Sequence, residues 1–220
     1  MNDPLFPVPF LAVAVLLLIR AEFRSAQRQI YFLKPLSTLL VILVAALSFS
    51  TSAVKGGYTT GILIGLILSL GGDVALMFPS AKAFMLGLAC FLLAHVAYAV
   101  TFTLFNGFYP ADWVSGGVLL VLAVAVYLYL RPGLEKTRGP VVGYIVVICI
   151  MVNRAVSAFF GTTFTLTQAW LISVGATLFW VSDLMLAVNR FRQPFKYHRL
   201  GLAFYYGGQL LIALSPAYFR

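Results

Sequence analysis

Residues 178–191, LFWVSDLMLAVNRF, place one carboxylate, Asp183, inside an apolar run long enough to cross a bilayer. A second stretch, residues 68–78 (LSLGGDVALMF), places Asp73 in the same setting. The other acidic residues are expected in polar connections or at the terminus, and they are Asp3, Glu22, Asp112 and Glu135. Because an aspartate at the centre of a membrane helix costs roughly 2.5–3.5 kcal/mol on insertion scales, two of them indicate a functional site. A polar clamp between helices is the alternative.

The composition is that of a helical membrane protein. Of the 220 residues, 62% are hydrophobic and 10% are charged, and the mean hydropathy is +0.99. Long apolar runs with this composition are typical of polytopic membrane proteins. The net charge of +9 does not indicate nucleic-acid binding, because the cations cluster in short connections between apolar runs. Membrane lipids are therefore the expected surroundings, and nucleic acid is not an expected partner.

The apolar runs predict one all-α domain with eight transmembrane helices. The predicted spans are residues 5–20, 32–50, 58–78, 83–104, 113–130, 140–159, 168–188 and 199–216. Twelve cations follow odd-numbered spans, and only Lys55 and Arg220 lie on the other side, so both termini are expected outside the cytosol. Asp73 and Asp183 then lie about five residues, or roughly 8 Å, from the cytosolic ends of their helices. The remaining cation, Arg154, lies inside the sixth span, where it is expected to reach the interface or to cap a polar pocket.

The two halves of the chain resemble each other weakly. Residues 87–95 (GLACFLLAH) follow Asp73, and residues 201–209 (GLAFYYGGQ) follow Asp183, so that His95 aligns with Gln209. We therefore consider two repeats, residues 1–105 and 113–220, of four spans each. An even number of spans preserves orientation, so these repeats are expected to be parallel. Chance similarity between apolar helices is the alternative.

Several polar side chains lie in or beside the spans that surround the two aspartates. The candidates for binding substrate are Lys34, His95, Tyr98, Tyr205, Tyr206 and Gln209. Lys34 lies where the second span enters the membrane from the cytosolic side, and an ammonium at this level is a natural partner for a phosphate. The alternative is an interfacial lysine that only extends its charge to the membrane surface. A hydrogen-bonded histidine and packed aromatic rings are the corresponding structural alternatives for the others. The basic connection between the seventh and eighth spans suits anionic headgroups.

Motifs for other chemistries are missing from the sequence. There is no HExxH, CxxC, GxSxG or P-loop, and Cys90 and Cys149 are read as buried free thiols. No metal and no cofactor are therefore expected. A pair of carboxylates with His, Lys, Tyr and Gln around a lipid-accessible cavity is what the residues predict.

Five short motifs, taken in order, resemble one family. They are Lys34-Pro35, Gly72-Asp73, residues 91–98 (FLLAHVAY), Ser182-Asp183 and residues 205–209 (YYGGQ). Each motif is weak alone, but the ordered set resembles the lysoplasmalogenase family of integral membrane proteins, also called YhhN-like. The resemblance covers about residues 30–215, most of the chain.

The resemblance implies an enzyme that hydrolyses the vinyl ether bond of lysoplasmalogens, an alkenylglycerophosphocholine or -ethanolamine hydrolase. Its substrate is a lysophospholipid, and its location is the bacterial inner membrane or the endoplasmic reticulum. Asp73 and Asp183 are the candidate catalytic residues, because protonation of carbon needs an acid and the resulting oxocarbenium ion needs a carboxylate. Two carboxyl groups in a dry cavity can divide these tasks, and the sequence leaves open which does which.

Two further readings stay open at this point. In the first, the chain is a proton-coupled transporter of lipids or small molecules that uses the aspartate pair. In the second, the aspartates only clamp helices together. A closed pocket that accepts one acyl chain favours the enzyme, and access from both sides of the membrane favours the transporter.

Overall fold

The computed structural model describes residues 3–50 and 56–219, except the side chains of residues 50, 136 and 196, and its regular structure in these ranges is helical. Eight α-helices follow in order: α1 Val8–Phe23, α2 Gln27–Leu47, α3 Gly56–Leu76, α4 Ala81–Asn106, α5 Ala111–Leu130, α6 Arg138–Val156, α7 Leu166–Phe191 and α8 Gly201–Leu214. Among the described residues, seven helical segments are long and apolar enough to cross a membrane. The first predicted span corresponds to α1, which has 16 residues and is not one of these seven segments. The predicted all-α, polytopic membrane fold is confirmed.

Helix α2 begins earlier than the sequence predicted. The predicted span opened at residue 32, with Lys34-Pro35 at its start, whereas α2 begins at Gln27 and Pro35 lies inside it. Proline removes one hydrogen bond from a helix interior. Near it, the Ser37 hydroxyl donates to the Leu33 carbonyl at 2.8 Å. Lys34 therefore lies two turns inside a helix, and only 8% of its surface is exposed.

Small residues bring α3 against α4 and α7 against α8. A Cβ on Gly65 of α3 would lie 2.2 Å from the Tyr98 ring, and one on Gly72 would lie 2.6 Å from the Phe91 ring. A Cβ on Gly208 of α8 would lie 2.6 Å from the Gly175 carbonyl oxygen of α7. Close approach of this kind is how membrane helices gain packing without a hydrophobic driving force. These two helix pairs hold the carboxylate-bearing helices α3 and α7 in the bundle.

Contacts between the two halves of the chain form the centre of the bundle. Helix α2 packs on α8, and α4 packs on α6. Asp73 lies three residues before the end of α3, and Asp183 lies eight residues before the end of α7. The sequence placed each about five residues from its helix end, but α7 continues to Phe191, three residues beyond the predicted boundary. The repeats themselves remain a hypothesis.

Asp112 differs from its predicted position in a polar connection. It lies in the first turn of α5, is 9% exposed, and forms an ion pair with Arg154 of α6. The Tyr109 N–H donates to the same carboxylate at 2.8 Å, and Arg154 also donates to the Gly107 carbonyl at 3.1 Å. Arg154 therefore pairs inside the protein and ties α5 to α6. Removing one partner of such a buried pair is strongly destabilising.

Candidate active site

Asp73 and Asp183 line one cavity of about 310 Å³. Lys34 of α2 and Tyr205 of α8 line it as well. The polar side chains of its remaining wall are Glu22, Ser182, Asn189, Arg190, His198 and Arg199. The structure thus brings together three of the residues singled out from the sequence as charged groups in or beside apolar runs, Lys34, Asp73 and Asp183.

The Asp73 centre contains a fixed cation and two hydroxyl donors. The Lys34 ammonium lies 3.6 Å from Asp73 Oδ1. Thr38 donates to Oδ2 at 2.6 Å, and the Tyr205 hydroxyl donates to Oδ2 at 2.7 Å. Asp73 is only 2% exposed. An ammonium and two hydroxyl donors thus surround a carboxyl group that has almost no contact with water.

The Asp183 centre has a different set of partners. The Tyr144 hydroxyl of α6 donates to Asp183 Oδ2 at 2.5 Å, and His95 Nε2 of α4 lies 3.0 Å from the same oxygen. Since Oδ2 already accepts from Tyr144, the hydrogen-bond pattern places the imidazole proton on Nε2. Among the described side chains, no lysine or arginine lies within 4 Å of Asp183. Oδ1 has no partner there, and the side chain is 12% exposed.

A hydrogen-bonded layer lies about one turn deeper than the Asp73 carboxylate. The Tyr98 hydroxyl donates to Gln209 Oε1 at 2.8 Å, and Gln209 Nε2 donates to Ser69 at 2.9 Å. These three side chains, here called the floor, are nearly or fully buried. Tyr206 is buried beside them and donates to the Lys34 carbonyl at 3.0 Å. Tyr98, Tyr206 and Gln209 thus lie behind the cavity wall, as does His95, although the sequence suggested that they face substrate.

An apolar groove adjoins the cavity at Asp183. Asp183 and Tyr144 are its polar members, and five residues belong to both spaces: Leu76, Phe84, Phe91, Asp183 and Leu186. The other side chains of the groove come from α4, α5, α6 and α7, for example Leu88, Val126, Ile148 and Trp180. Asp73 does not line this groove. Asp183 therefore stands where a polar space meets an apolar one.

Comparison with known proteins assigns this chain to a family. A sequence profile of the YhhN family matches residues 29–216. The chain belongs to the YhhN family. The family resemblance drawn from the ordered motifs is thus confirmed.

Relatives of this YhhN-family chain include mammalian and bacterial membrane proteins. Bovine lysoplasmalogenase TMEM86A is 34% identical over 160 residues, which cover 71% of this chain and 65% of the relative. Human lysoplasmalogenase TMEM86B is 34% identical over 166 residues, which cover 73% and 65%. The uncharacterized membrane protein YhhN of Escherichia coli O157:H7 is 29% identical over 200 residues, which cover 89% and 90%. The chain thus spans about 65% of the length of these two lysoplasmalogenases, and no solved structure matches it.

Some residues at the site of this YhhN-family chain were not singled out from the sequence. Tyr144 carries the shortest hydrogen bond to Asp183, but a tyrosine in an apolar run gives no sign of whether it faces lipid or a partner. Glu22 was assigned to a connection, yet it lies in the last turn of α1 and lines the cavity. Arg190 and Arg199 were recognised only as part of a basic connection. Within the described residues, no group of three His, Cys, Asp or Glu side chains is placed to hold a metal ion.

Proposed function

We propose that this protein is a membrane-embedded hydrolase that cleaves the vinyl ether bond of lysoplasmalogens. The products are a fatty aldehyde and glycerophosphocholine or glycerophosphoethanolamine. The observation that carries the proposal is the pair of carboxylates on one cavity, with Asp183 also on the adjoining apolar groove. Two relatives that bear the name lysoplasmalogenase, at 34% identity, support the same substrate class.

The two spaces suit the two ends of a lysolipid. The groove accepts the alkenyl chain, because aliphatic and aromatic side chains line it. The cavity accepts the glycerophosphate end, because charged side chains line it. A chain that crosses from one space to the other passes Asp183 at the junction, which is where the vinyl ether joins the chain to glycerol.

Asp183 is the proton donor in this proposal. Both protein donors at this carboxyl group engage Oδ2, which leaves Oδ1 to carry a proton toward the substrate. Asp183 Oδ1–H transfers its proton to the β-carbon of the vinyl ether, and the double bond becomes an oxocarbenium ion. Tyr144 and His95 are positioning residues, because they hold Oδ2 and so turn Oδ1 to the substrate.

Asp73 completes the reaction. Its carboxylate takes a proton from water as the water oxygen adds to the oxocarbenium carbon, which gives a hemiacetal. Asp73 then returns that proton to the glycerol oxygen as the carbon–oxygen bond breaks, and the hemiacetal hydroxyl gives its proton to Asp183. The aldehyde and the glycerol hydroxyl are released, one water is consumed, and both carboxyl groups regain their starting states. The division of labour resembles that of glycosidases, which also pass through an oxocarbenium ion.

The remaining predicted site residues support this pair. The Lys34 ammonium lies 3.6 Å from Asp73 Oδ1, so we assign it to Asp73 and not to the substrate phosphate. Tyr205 donates to Asp73 and also lines the cavity. Tyr98, Tyr206 and Gln209 act on substrate through the wall that they support, since they lie behind it.

The floor favours an enzyme over a transporter. Transport requires a path that opens to each side of the membrane in turn. The floor places three bonded, nearly or fully buried side chains directly beneath the Asp73 carboxylate, so the cavity ends there.

In the proposed topology the cavity opens to the cytosolic side, and both termini lie on the opposite side of the membrane. A reporter fused after residue 220 that reads cytosolic would reverse this orientation.

The reaction is tested with purified protein in detergent and a lysoplasmalogen as substrate. Release of fatty aldehyde is expected by chemical trapping and mass spectrometry. The matched control is the alkyl ether lysophospholipid, which lacks the double bond, cannot be protonated at carbon and should yield no aldehyde. Folded protein that releases no aldehyde from the lysoplasmalogen would overturn the proposal.

A further inference from the structure

We infer that Arg190, Arg199 and Glu22 form a headgroup site that binds the phosphate and the amine of a zwitterionic glycerophospholipid. The inference rests on the proposed function, because it extends the same cavity outward from the two aspartates. All three side chains line that cavity. They come from the ends of α1 and α7 and from the short 3₁₀ segment Lys196–Leu200 before α8.

Two guanidinium groups are held on the cavity wall without an acidic partner. The Arg190 guanidinium carbon lies 4.8 Å from the centre of the Phe84 ring, and that of Arg199 lies 5.6 Å from the Phe23 ring. Neither forms an ion pair within 4 Å with a described carboxylate, and Arg199 Nε is buried without a hydrogen-bond partner. Planar guanidinium groups that stack on aromatic rings keep their N–H edges free for an oxyanion. A phosphate diester supplies the oxygens that these edges lack.

Glu22 supplies the opposite charge on the same wall. It has no ion pair within 4 Å with any described lysine, arginine or histidine. His198 lines the same cavity, and its Nδ1 donates to the Phe195 carbonyl at 2.6 Å. The Glu22 carboxylate suits the ammonium of a headgroup. The cavity therefore offers both charges of a phosphocholine or phosphoethanolamine, next to a groove for one chain.

The site is tested by binding, with a ligand that the enzyme cannot hydrolyse. Hexadecyl-lysophosphatidylcholine, an alkyl ether, is titrated against the purified full chain in detergent, and hexadecylglycerol, which lacks the phosphate, is titrated in parallel. Arg190→Met and Arg199→Met should each weaken binding of the lysolipid by at least about tenfold, because each removes hydrogen bonds to a charged group. Binding of hexadecylglycerol should not change. Arg199→Lys, which retains the charge but loses the fork, should fall between Arg199→Met and the wild type.

The matched control is Arg192→Met. The Arg192 guanidinium carbon lies 5.2 Å from the centre of the Tyr129 ring, a distance between those of the other two arginines, but Arg192 does not line the cavity. This variant should bind both ligands as the wild type does. If Arg190→Met and Arg199→Met bind the lysolipid no worse than Arg192→Met, while all three melt at wild-type temperature, the phosphate site is wrong. Equal losses for both ligands would also overturn it, because the arginines would then support the chain and not the phosphate.

Two further arms separate the possible ligands. Glu22→Gln should lower the preference for hexadecyl-lysophosphatidylcholine over hexadecyl-lysophosphatidic acid, and an unchanged preference would remove Glu22 from the site. Inorganic phosphate should displace the lysolipid only weakly, because it has no chain. Displacement by phosphate that matches the lysolipid would assign the arginines to a free anion instead. Since no turnover is measured, a wild type that binds the lysolipid but releases no aldehyde would refute the reaction and leave the headgroup site standing.

Discussion

The Asp73 centre and the Asp183 centre occupy corresponding helices of the two half-chains, yet their partners differ. Asp73 accepts from α2 and α8 and has an ammonium 3.6 Å away. Asp183 accepts from α6 and α4 and has a tyrosine and a histidine in place of the ammonium. In both cases the partners come from both halves of the chain. The two carboxyl groups thus occupy similar positions in the bundle but have different hydrogen-bonding and charged partners.

This comparison shows how a pair of identical residues can take two roles. In the proposed mechanism, the carboxyl group beside the Lys34 ammonium serves as the base. The acid is the one held by a tyrosine and a histidine, with no described lysine or arginine within 4 Å. The apolar groove adds the second difference, because it reaches Asp183 and not Asp73. The predictions below change one centre at a time.

The largest effects are expected when a carboxyl group is replaced. Asp183→Asn and Asp73→Asn should each lower turnover about 10²–10⁴-fold, the usual contribution of general acid–base catalysis. The amide keeps the volume and one oxygen that accepts hydrogen bonds, but it cannot transfer a proton to carbon or take one from water. The double variant should lose little more than either single variant, because the two groups act as one unit. Aldehyde release at saturating lysoplasmalogen measures both.

The control for this experiment is Asp112→Asn. Asp112 is buried and paired with Arg154, but it lies outside the cavity. This variant should lower the melting temperature and leave turnover per folded molecule unchanged. If Asp73→Asn and Asp183→Asn behave like Asp112→Asn, the aspartates of the cavity are structural clamps.

A smaller loss is expected when only the cation of the Asp73 centre is removed. Lys34→Met should lower turnover roughly 10–100-fold, because it removes a charge-assisted contact worth about 1.5–3 kcal/mol. Lys34→Arg should retain more turnover, since it keeps the charge. Substrate affinity, measured with the alkyl ether lysolipid, should change little. A loss of affinity with normal turnover would return Lys34 to the phosphate.

The tyrosines of the two centres give a direct comparison. Tyr144→Phe should lower turnover by about tenfold, the cost of one hydrogen bond to a carboxyl group. Tyr205→Phe should cost less, because Asp73 still has Thr38 and Lys34, whereas Asp183 is left with His95 alone. Steady-state rates of both variants, with melting temperatures to check folding, measure the difference. The reverse order of losses would contradict the proposed roles.

The smallest effect is expected at the start of α4, the helix that brings His95 to Asp183. The Ser80 hydroxyl accepts from the Ala83 N–H at 3.1 Å and caps this helix. Ser80→Ala should lower the free energy of unfolding by about 1 kcal/mol. Turnover should not change, and denaturant or thermal unfolding measures the loss. A drop in turnover without a drop in stability would place the α3–α4 connection at the active site.

The sequence predicted the membrane fold and the acidic pair because both depend on large solvation costs. An aspartate in an apolar run stands out, and so do runs of about 20 apolar residues. Lys34 and Tyr205 were found in the same way, as polar groups in or beside these runs. The order of the motifs gave the family, which the match to residues 29–216 bears out.

The remaining features depend on contacts that a sequence does not contain. Tyr144 is one of eleven tyrosines, and only the packing of α6 against α7 sets its hydroxyl on Asp183. The sequence placed Asp112 outside the apolar runs, and its pairing with Arg154 appears only once α5 meets α6. The start of α2 was misplaced because Pro35 suggested a helix opening, whereas the helix begins at Gln27 and Pro35 lies inside it.

The measurement that tests the central claim most directly is hydrolysis of a lysoplasmalogen in D₂O. If a carboxyl proton passes to carbon in the slow step, turnover by the wild type should be slower in D₂O than in H₂O. The released aldehyde should carry one deuterium on the carbon next to its carbonyl, and aldehyde added to the same mixture controls for later exchange. Equal rates in the two solvents, or aldehyde without this deuterium, would contradict the proposed transfer of a proton from Asp183 to the vinyl ether.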